Sequence, residues 1–167
     1  LCAASIPGPI TIRYAREATP VVTTKHTPFQ FGIANIIRFR AEKKDFTEAF
    51  ETKLSTEYQD EREDIALIAC GPMVAEAMRA AYILKKEFNL ECRVINMHTV
   101  KPIDKEAIIK ATQEIGVLLS VEEHQKGGFG NIVAGVIATE KAYYSAPFLF
   151  DMMGVNDEFG LSGAPWE

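Results

Sequence analysis

Ile65-Ala66-Leu67-Ile68-Ala69-Cys70-Gly71-Pro72 is the stretch that decides the fold. Six apolar residues run without a polar break, as in a strand buried on both faces. Gly71-Pro72 then turns the chain, and proline suits the first position of a helix. Behind it Val74, Ala77, Met78, Ala81, Leu84 and Phe88 recur at helical spacing, with Lys85 and Lys86 near the end. The same unit repeats downstream. Cys92 to Met97 reads as a strand, and Asp104 caps a helix through Ala107, Ile108 and Ala111. Val117-Leu118-Leu119-Ser120-Val121 is a third buried strand. Gly127-Gly128-Phe129-Gly130 opens a helix carrying Ile132, Val133, Val136, Ile137 and Tyr143, and Pro147 to Asp151 is a fourth strand.

Strands separated by helical crossovers belong in a mostly parallel sheet, because a parallel return needs a dozen or more residues. The expected class is α/β, a three-layer α/β/α domain with about five strands. The β-rich run around residues 33–39 supplies the fifth, as an antiparallel edge strand. Upstream, Ile10-Thr11-Ile12-Arg13-Tyr14-Ala15 alternates and predicts a further strand. Residues 41–63 are strongly charged, and Phe46, Phe50 and Leu54 lie four apart. That spacing predicts a short surface helix followed by a polar linker, with the charges facing water. Gly163-Ala164-Pro165-Trp166-Glu167 reads as the opening of another helix.

Composition narrows the function classes. The chain has 167 residues, 47% hydrophobic and 25% charged, with net charge −5. An acidic balance argues against nucleic acid as a partner, since that needs a clustered basic face. No apolar run approaches the ~20 residues of a membrane span. A signal-peptide pattern is missing at the start, so the expected location is cytoplasmic. Cys2, Cys70 and Cys92 match no zinc spacing; Cys70 and Cys92 read as small buried hydrophobes.

The polar residues that could carry chemistry cluster in loops after the strands, where open parallel sheets bind ligands and partners. Glu122-Glu123-His124 sets carboxylates beside an imidazole. Such a triplet can move protons, or it can hydrogen-bond across a domain or subunit surface. The second reading is preferred, because no nucleophile or metal spacing accompanies it. Gly127, Gly128 and Gly130 can present N–H groups to a phosphate at a helix end, or serve as a tight turn where surfaces approach closely. The tight turn is preferred, since neither dinucleotide nor P-loop spacing is present. His98 follows a strand directly and can titrate or pack. Arg13 and Arg16 lie along and just after the first predicted strand, where arginine can clasp a phosphate.

Several of these motifs occur in one order: Ile68-Ala69-Cys70-Gly71, Met73-Val74-Ala75-Glu76-Ala77, the run from Arg93 to Asp104, and Val121-Glu122-Glu123-His124 with Gly127-Gly128-Phe129-Gly130. Together they resemble the C-terminal domain of transketolases, shared with deoxyxylulose-phosphate synthases and 2-oxoacid dehydrogenase β subunits. Residues 8–16 resemble the closing strand of that superfamily's pyrimidine-binding domain. The resemblance implies that residues 1–24 are the tail of a preceding domain with its linker. Residues 25–167 are then the C-terminal domain, carrying a charged helical insertion at about 41–63.

The resemblance also implies a parent enzyme that moves a two-carbon ketol unit between sugar phosphates, using thiamine diphosphate and Mg or Ca held by upstream domains. This stretch would bind neither metal nor cofactor, hold no catalytic residue, and be inactive alone. Arg16, with Arg13 as a second basic position, would hold substrate phosphate. His98, Glu122, Glu123, His124, Gly127, Gly128 and Gly130 would form a domain or subunit interface, and the parent would be a homodimer. A non-enzymatic docking or regulatory domain of the same fold is the alternative, as is the equivalent domain of the two sister enzymes.

Overall fold

A computed structural model describes residues 2–16, 18–140 and 146–160. The expectations for Tyr143 and for residues 163–167 lie outside the described residues. The elements are α1 (Cys2–Ser5), β1 (Asn35–Phe39), β2 (Phe50–Leu54), β3 (Ile65–Ala69), α2 (Met73–Phe88), β4 (Cys92–Asn96), α3 (Lys105–Glu114), β5 (Val117–Gln125), α4 (Phe129–Thr139) and β6 (Leu149–Val155). They build one six-stranded sheet in the order β2-β1-β4-β3-β5-β6. β4, β3, β5 and β6 are mutually parallel, while β1 runs antiparallel to both β4 and β2. The expected α/β class and mostly parallel sheet are therefore what forms.

Side-chain alternation along the strands splits the core into two layers. Ile36, Ala66, Ile68, Ile95 and Leu118 point to one face and pack under α3 and α4, with Ala107, Ile108, Ala111, Val133 and Ile137. Ile37, Leu67, Ala69, Val94 and Val121 point to the other, under Val74, Ala77, Met78 and Ala81 of α2. The unbroken apolar run of β3 is explained by this position: it lies between β4 and β5 with helices on both sides.

Three local expectations are corrected. Residues 10–15 form no strand. Ile12 and Tyr14 are exposed, and a strand needs a neighbour that the described residues do not offer. The helix expected within 41–63 is absent as well. A short 3-10 turn at Thr47–Ala49 leads into β2, which pairs antiparallel with β1 from Asn35↔Leu54 to Phe39↔Phe50. Phe46 and Phe50, spaced like helix neighbours, meet because the turn folds them together, 5.0 Å between ring centroids. Phe39 and Tyr82 complete that aromatic cluster against α2. The edge strand is accordingly β2, and β1 sits one place in.

The third correction concerns the charges. Glu63 is buried, together with Arg38, Arg93 and Tyr58. Its carboxylate accepts hydrogen bonds from the Arg38 guanidinium, the Tyr58 hydroxyl and, at 2.7 Å, from Arg93 Nη2. Arg38 reaches Glu91 at 2.7 Å, Arg93 reaches Asp60 at 3.1 Å, and the Arg93 guanidinium lies 5.0 Å from the centre of the Tyr58 ring. Burial alone would raise the Glu63 carboxyl. The Arg93 and Tyr58 bonds and the Arg93 charge outweigh it and hold the pKa down at about 2. Glu63 precedes β3 and Arg93 lies at the start of β4, so this knot closes the amino ends of the parallel strands.

Candidate functional site at the carboxyl ends of the strands

β5 delivers Glu122 to the opposite end of the sheet, where its side chain turns under the glycine loop. Glu122 is 5% exposed. Oε2 accepts the Phe129 N–H at 2.7 Å and Oε1 the Gly130 N–H at 2.9 Å. Those are two of the donors that the start of α4 leaves without a helical partner. A carboxylate suits the positive end of the helix dipole, and Gly128 as the N-cap residue supplies no side-chain bond of its own. The glycines are required by this closeness. A Cβ on Gly128 would lie 2.5 Å from Glu122 Oε2, and one on Gly130 would lie 2.7 Å from Met152 Sδ. Gly127 takes φ +102°, where a side chain is strained. Beyond Glu122 the ribbon of β5 and β6 carries Glu123 and His124 out into solvent. Gly154 on β6 lets it pass, since a Cβ there would fall 2.7 Å from the His124 carbonyl oxygen.

A second cluster forms after β4. His98 is half-buried, Nδ1 lies 2.9 Å from Thr99 Oγ1, and the ring stacks on Phe29 at 4.6 Å between centroids. Burial lowers its pKa, against the opposing pull of the Ile33 backbone and the Asp104 charge. Asp104 is buried beneath this loop. Oδ1 accepts the Ala107 N–H as the cap of α3, while Oδ2 accepts the Ala34 N–H at 2.8 Å and the Ser55 hydroxyl at 2.5 Å. One carboxylate thus joins the start of α3, the entry to β1 and the exit from β2. The expected cap is there, with two partners that its sequence position does not suggest.

Cys70, at the exit of β3, is pushed up to about 11 by burial and by the Glu122 and Glu123 charges, so its thiol stays protonated near neutrality. Among the described residues no group of three or more His, Cys, Asp or Glu could hold a metal ion. The one phosphate cradle suggested by sequence, at Gly127 to Gly130, is already filled. A diphosphate there would face the Glu122 carboxylate and compete for N–H groups that Glu122 occupies. The residues present do not fit a phosphorylated cofactor at this turn.

The family model for the transketolase C-terminal domain matches residues 55–167. The chain belongs to that family. It is 30% identical over 159 residues to one subunit of the apulose-4-phosphate transketolase of Phocaeicola vulgatus, covering 94% of this chain and 42% of that protein. It is 29% identical over 160 residues to 1-deoxy-D-xylulose-5-phosphate synthase of Heliobacterium modesticaldum, covering 94% of this chain and 21% of that protein. Among solved structures, a split-gene transketolase described as an inactive β4 tetramer superposes with TM-score 0.73 at 30% identity, over 99% of this chain and 45% of that one. The chain spans less than half the length of each of these proteins.

Within this transketolase C-terminal domain, the expected interface residues separate by burial. Glu123, His124 and Gly128 are exposed on the rim, and His98 and Gly127 are half-buried. Glu122 and Gly130 are buried within the chain. Glu122 acts through the turn that it braces. Arg13 and Arg16 are exposed and lie ahead of β1 in the chain. Phe29 and Gly154 were not singled out by sequence. A glycine inside a strand run, as at 154, is the signal of close backbone approach that could have found the second.

Proposed function

We propose that this chain is the C-terminal domain of a transketolase-like enzyme that transfers a two-carbon ketol unit between sugar phosphates. Its part is to shape the active-site rim and to support a homodimer, and it has no turnover by itself. The thiamine diphosphate and the Mg or Ca of that enzyme belong to upstream domains, which are the chain's first partners, in the cytoplasm. Residues 1–24 are the tail of the preceding domain, with Arg16 and Arg13 toward the substrate phosphate. Among the described residues no helix is long and apolar enough to cross a membrane.

The observation that carries this reading is the exposed segment ahead of the domain. Ile12 is 55% and Tyr14 is 85% exposed on an alternating, strand-like stretch without a strand partner. A sequence patterned for a sheet, left bare, fits a strand completed by another domain. The test compares ketol transfer by the chain alone with transfer after the cofactor-binding domains are restored. Turnover only in the second case is expected; turnover by the chain alone sinks the proposal. Arg16→Ala in the restored enzyme should raise KM mainly for phosphorylated acceptors. An unchanged KM would remove the support that Arg16 gives to a phosphorylated substrate. The likeness to deoxyxylulose-phosphate synthases supports a second reading, the equivalent domain of such an enzyme, which formation of deoxyxylulose phosphate by the restored enzyme would favour.

A further inference from the structure

The stretch that forms β2 also builds a pocket. Thr47, Phe50 and Thr52 come from the 3-10 turn and from β2, and Thr24, His26 and Thr27 from the segment that lies against them. Together they line a depression of about 140 Å³. All of these residues precede residue 55, where the match to the transketolase C-terminal domain begins. The pocket thus lies outside the part of the chain for which the family accounts.

Its walls are fixed in advance. Thr47 Oγ1 donates to the Val21 carbonyl at 3.0 Å, Val22 packs against the layer under α2, and Asn35 Nδ2 donates to the Pro28 carbonyl at 3.0 Å. Between these anchors the segment turns on itself. The Thr24 N–H donates to Thr27 Oγ1 at 2.8 Å, and the His26 N–H donates to Thr24 Oγ1 at 3.2 Å. On the opposite wall the Phe50 ring is held by edge contacts with Phe39 and Phe46. A preformed site spares a ligand the cost of ordering these groups.

The bonds left over set the ligand's chemistry. The Thr24 and Thr27 oxygens already accept N–H groups, so each has a hydroxyl proton to give; their oxygens are 3.5 Å apart, and at most one of those protons is shared between them. Thr47 gives its proton to Val21 and keeps lone pairs to accept with. The Thr52 hydroxyl and the His26 ring make no hydrogen bond to a described residue. Donors and acceptors are therefore mixed, and no Lys, Arg, Asp or Glu is among the described lining residues. An oxyanion brings acceptors alone. It would meet the Thr47 lone pairs and find no lysine or arginine to balance its charge. An alcohol both gives and accepts, and the carbons between its hydroxyls suit the Phe50 ring. At ~30 Å³ per water, the pocket matches about five waters, room for about three or four carbons with their hydroxyls and too little for a sugar phosphate.

We propose that this pocket is a binding site for a neutral polyol of about three or four carbons. The ligand fastens the segment over residues 24–27 to the turn and strand at residues 47–52, giving the β2 insertion a role of its own. This inference does not depend on which reaction the parent enzyme performs.

Erythritol, titrated into the purified full-length protein with isotope-labelled threonine methyl groups, tests the site by NMR. Saturable shifts at Thr24, Thr27, Thr47 and Thr52, fitting one Kd of about 1–10 mM, are expected, while Thr99 and Thr112 stay unmoved. Thr52→Val removes a hydroxyl at nearly constant shape and should weaken binding by about fivefold or more; His26→Ala, at an exposed position, should weaken it by about threefold or more. Unchanged affinity in both variants overturns the proposal. Shifts that grow linearly and alike at every threonine report bulk solvent and overturn it, as does the absence of any shift. Inorganic phosphate saturating the same methyl groups at a lower concentration than erythritol assigns an anion site and overturns it too.

Discussion

Glu122 shows how one carboxylate can look reactive in sequence and be structural in space. It sits beside Glu123 and His124, yet only those two face solvent. Both Glu122 oxygens are spent on the first N–H groups of α4. Charge-assisted bonds of this kind are worth more than neutral ones, and a buried donor left without an acceptor costs about 1–3 kcal/mol. Glu122→Ala should therefore destabilise the domain by about 3 kcal/mol, and Glu122→Gln by less, since the amide keeps one acceptor. Urea unfolding followed by circular dichroism separates the two variants. A cost below about 0.5 kcal/mol for the alanine variant would mean that Glu122 does not brace the turn.

At the scale of elements, the rim is kept in place by contacts distant in sequence. Asp104 caps α3, and it also fixes the Ala34 N–H at the entry to β1 and the Ser55 hydroxyl after β2. Removal of the carboxylate should thus loosen three elements together. Asp104→Ala is expected to cost about 3 kcal/mol, more than the ~1 kcal/mol of an ordinary helix cap. Amide hydrogen exchange gives the sharper check, with faster exchange expected at Ala34 as well as at Ala107. Acceleration confined to α3 would reduce Asp104 to a cap alone. β2 illustrates why local spacing misleads. Phe46, Phe50 and Leu54 fit a helical stripe, but β1 offers a strand partner from an earlier stretch of the chain. Pairing with another stretch leaves no mark in local spacing.

For the whole molecule, the two ends of the sheet have different chemistry. The carboxyl ends carry the glycine turn and the His98 loop, while the amino ends are tied by Glu63, Arg38, Arg93 and Tyr58. Glu63 binds its proton more weakly in the folded chain than in the unfolded one, with a folded pKa of about 2. Its stabilisation is complete above the ordinary carboxylate pKa and disappears as pH falls through about 2. Unfolding free energy should drop by roughly 3 kcal/mol between about pH 5 and pH 2 through this group. Glu63→Gln should be less stable at pH 7, since both arginines lose their buried carboxylate, and should show a flatter acid limb. Parallel acid limbs in the two proteins would refute the assignment.

The sequence by itself determined the repeating strand and helix units from Ile65 onward, the cap at Asp104, the glycine turn and the family. These features rest on local periodicity and on residue types that suit one backbone geometry, so they are written within a few neighbouring positions. Only the tertiary structure decided that residues 50–54 form the sheet edge, that residues 10–15 stand without a strand partner, that Glu63 is buried, and that Glu122 is turned inward. Each of those outcomes depends on what comes near from elsewhere in the chain. A charged residue has the same letters in water as in a knot of arginines, and burial is settled only once its partners are brought together.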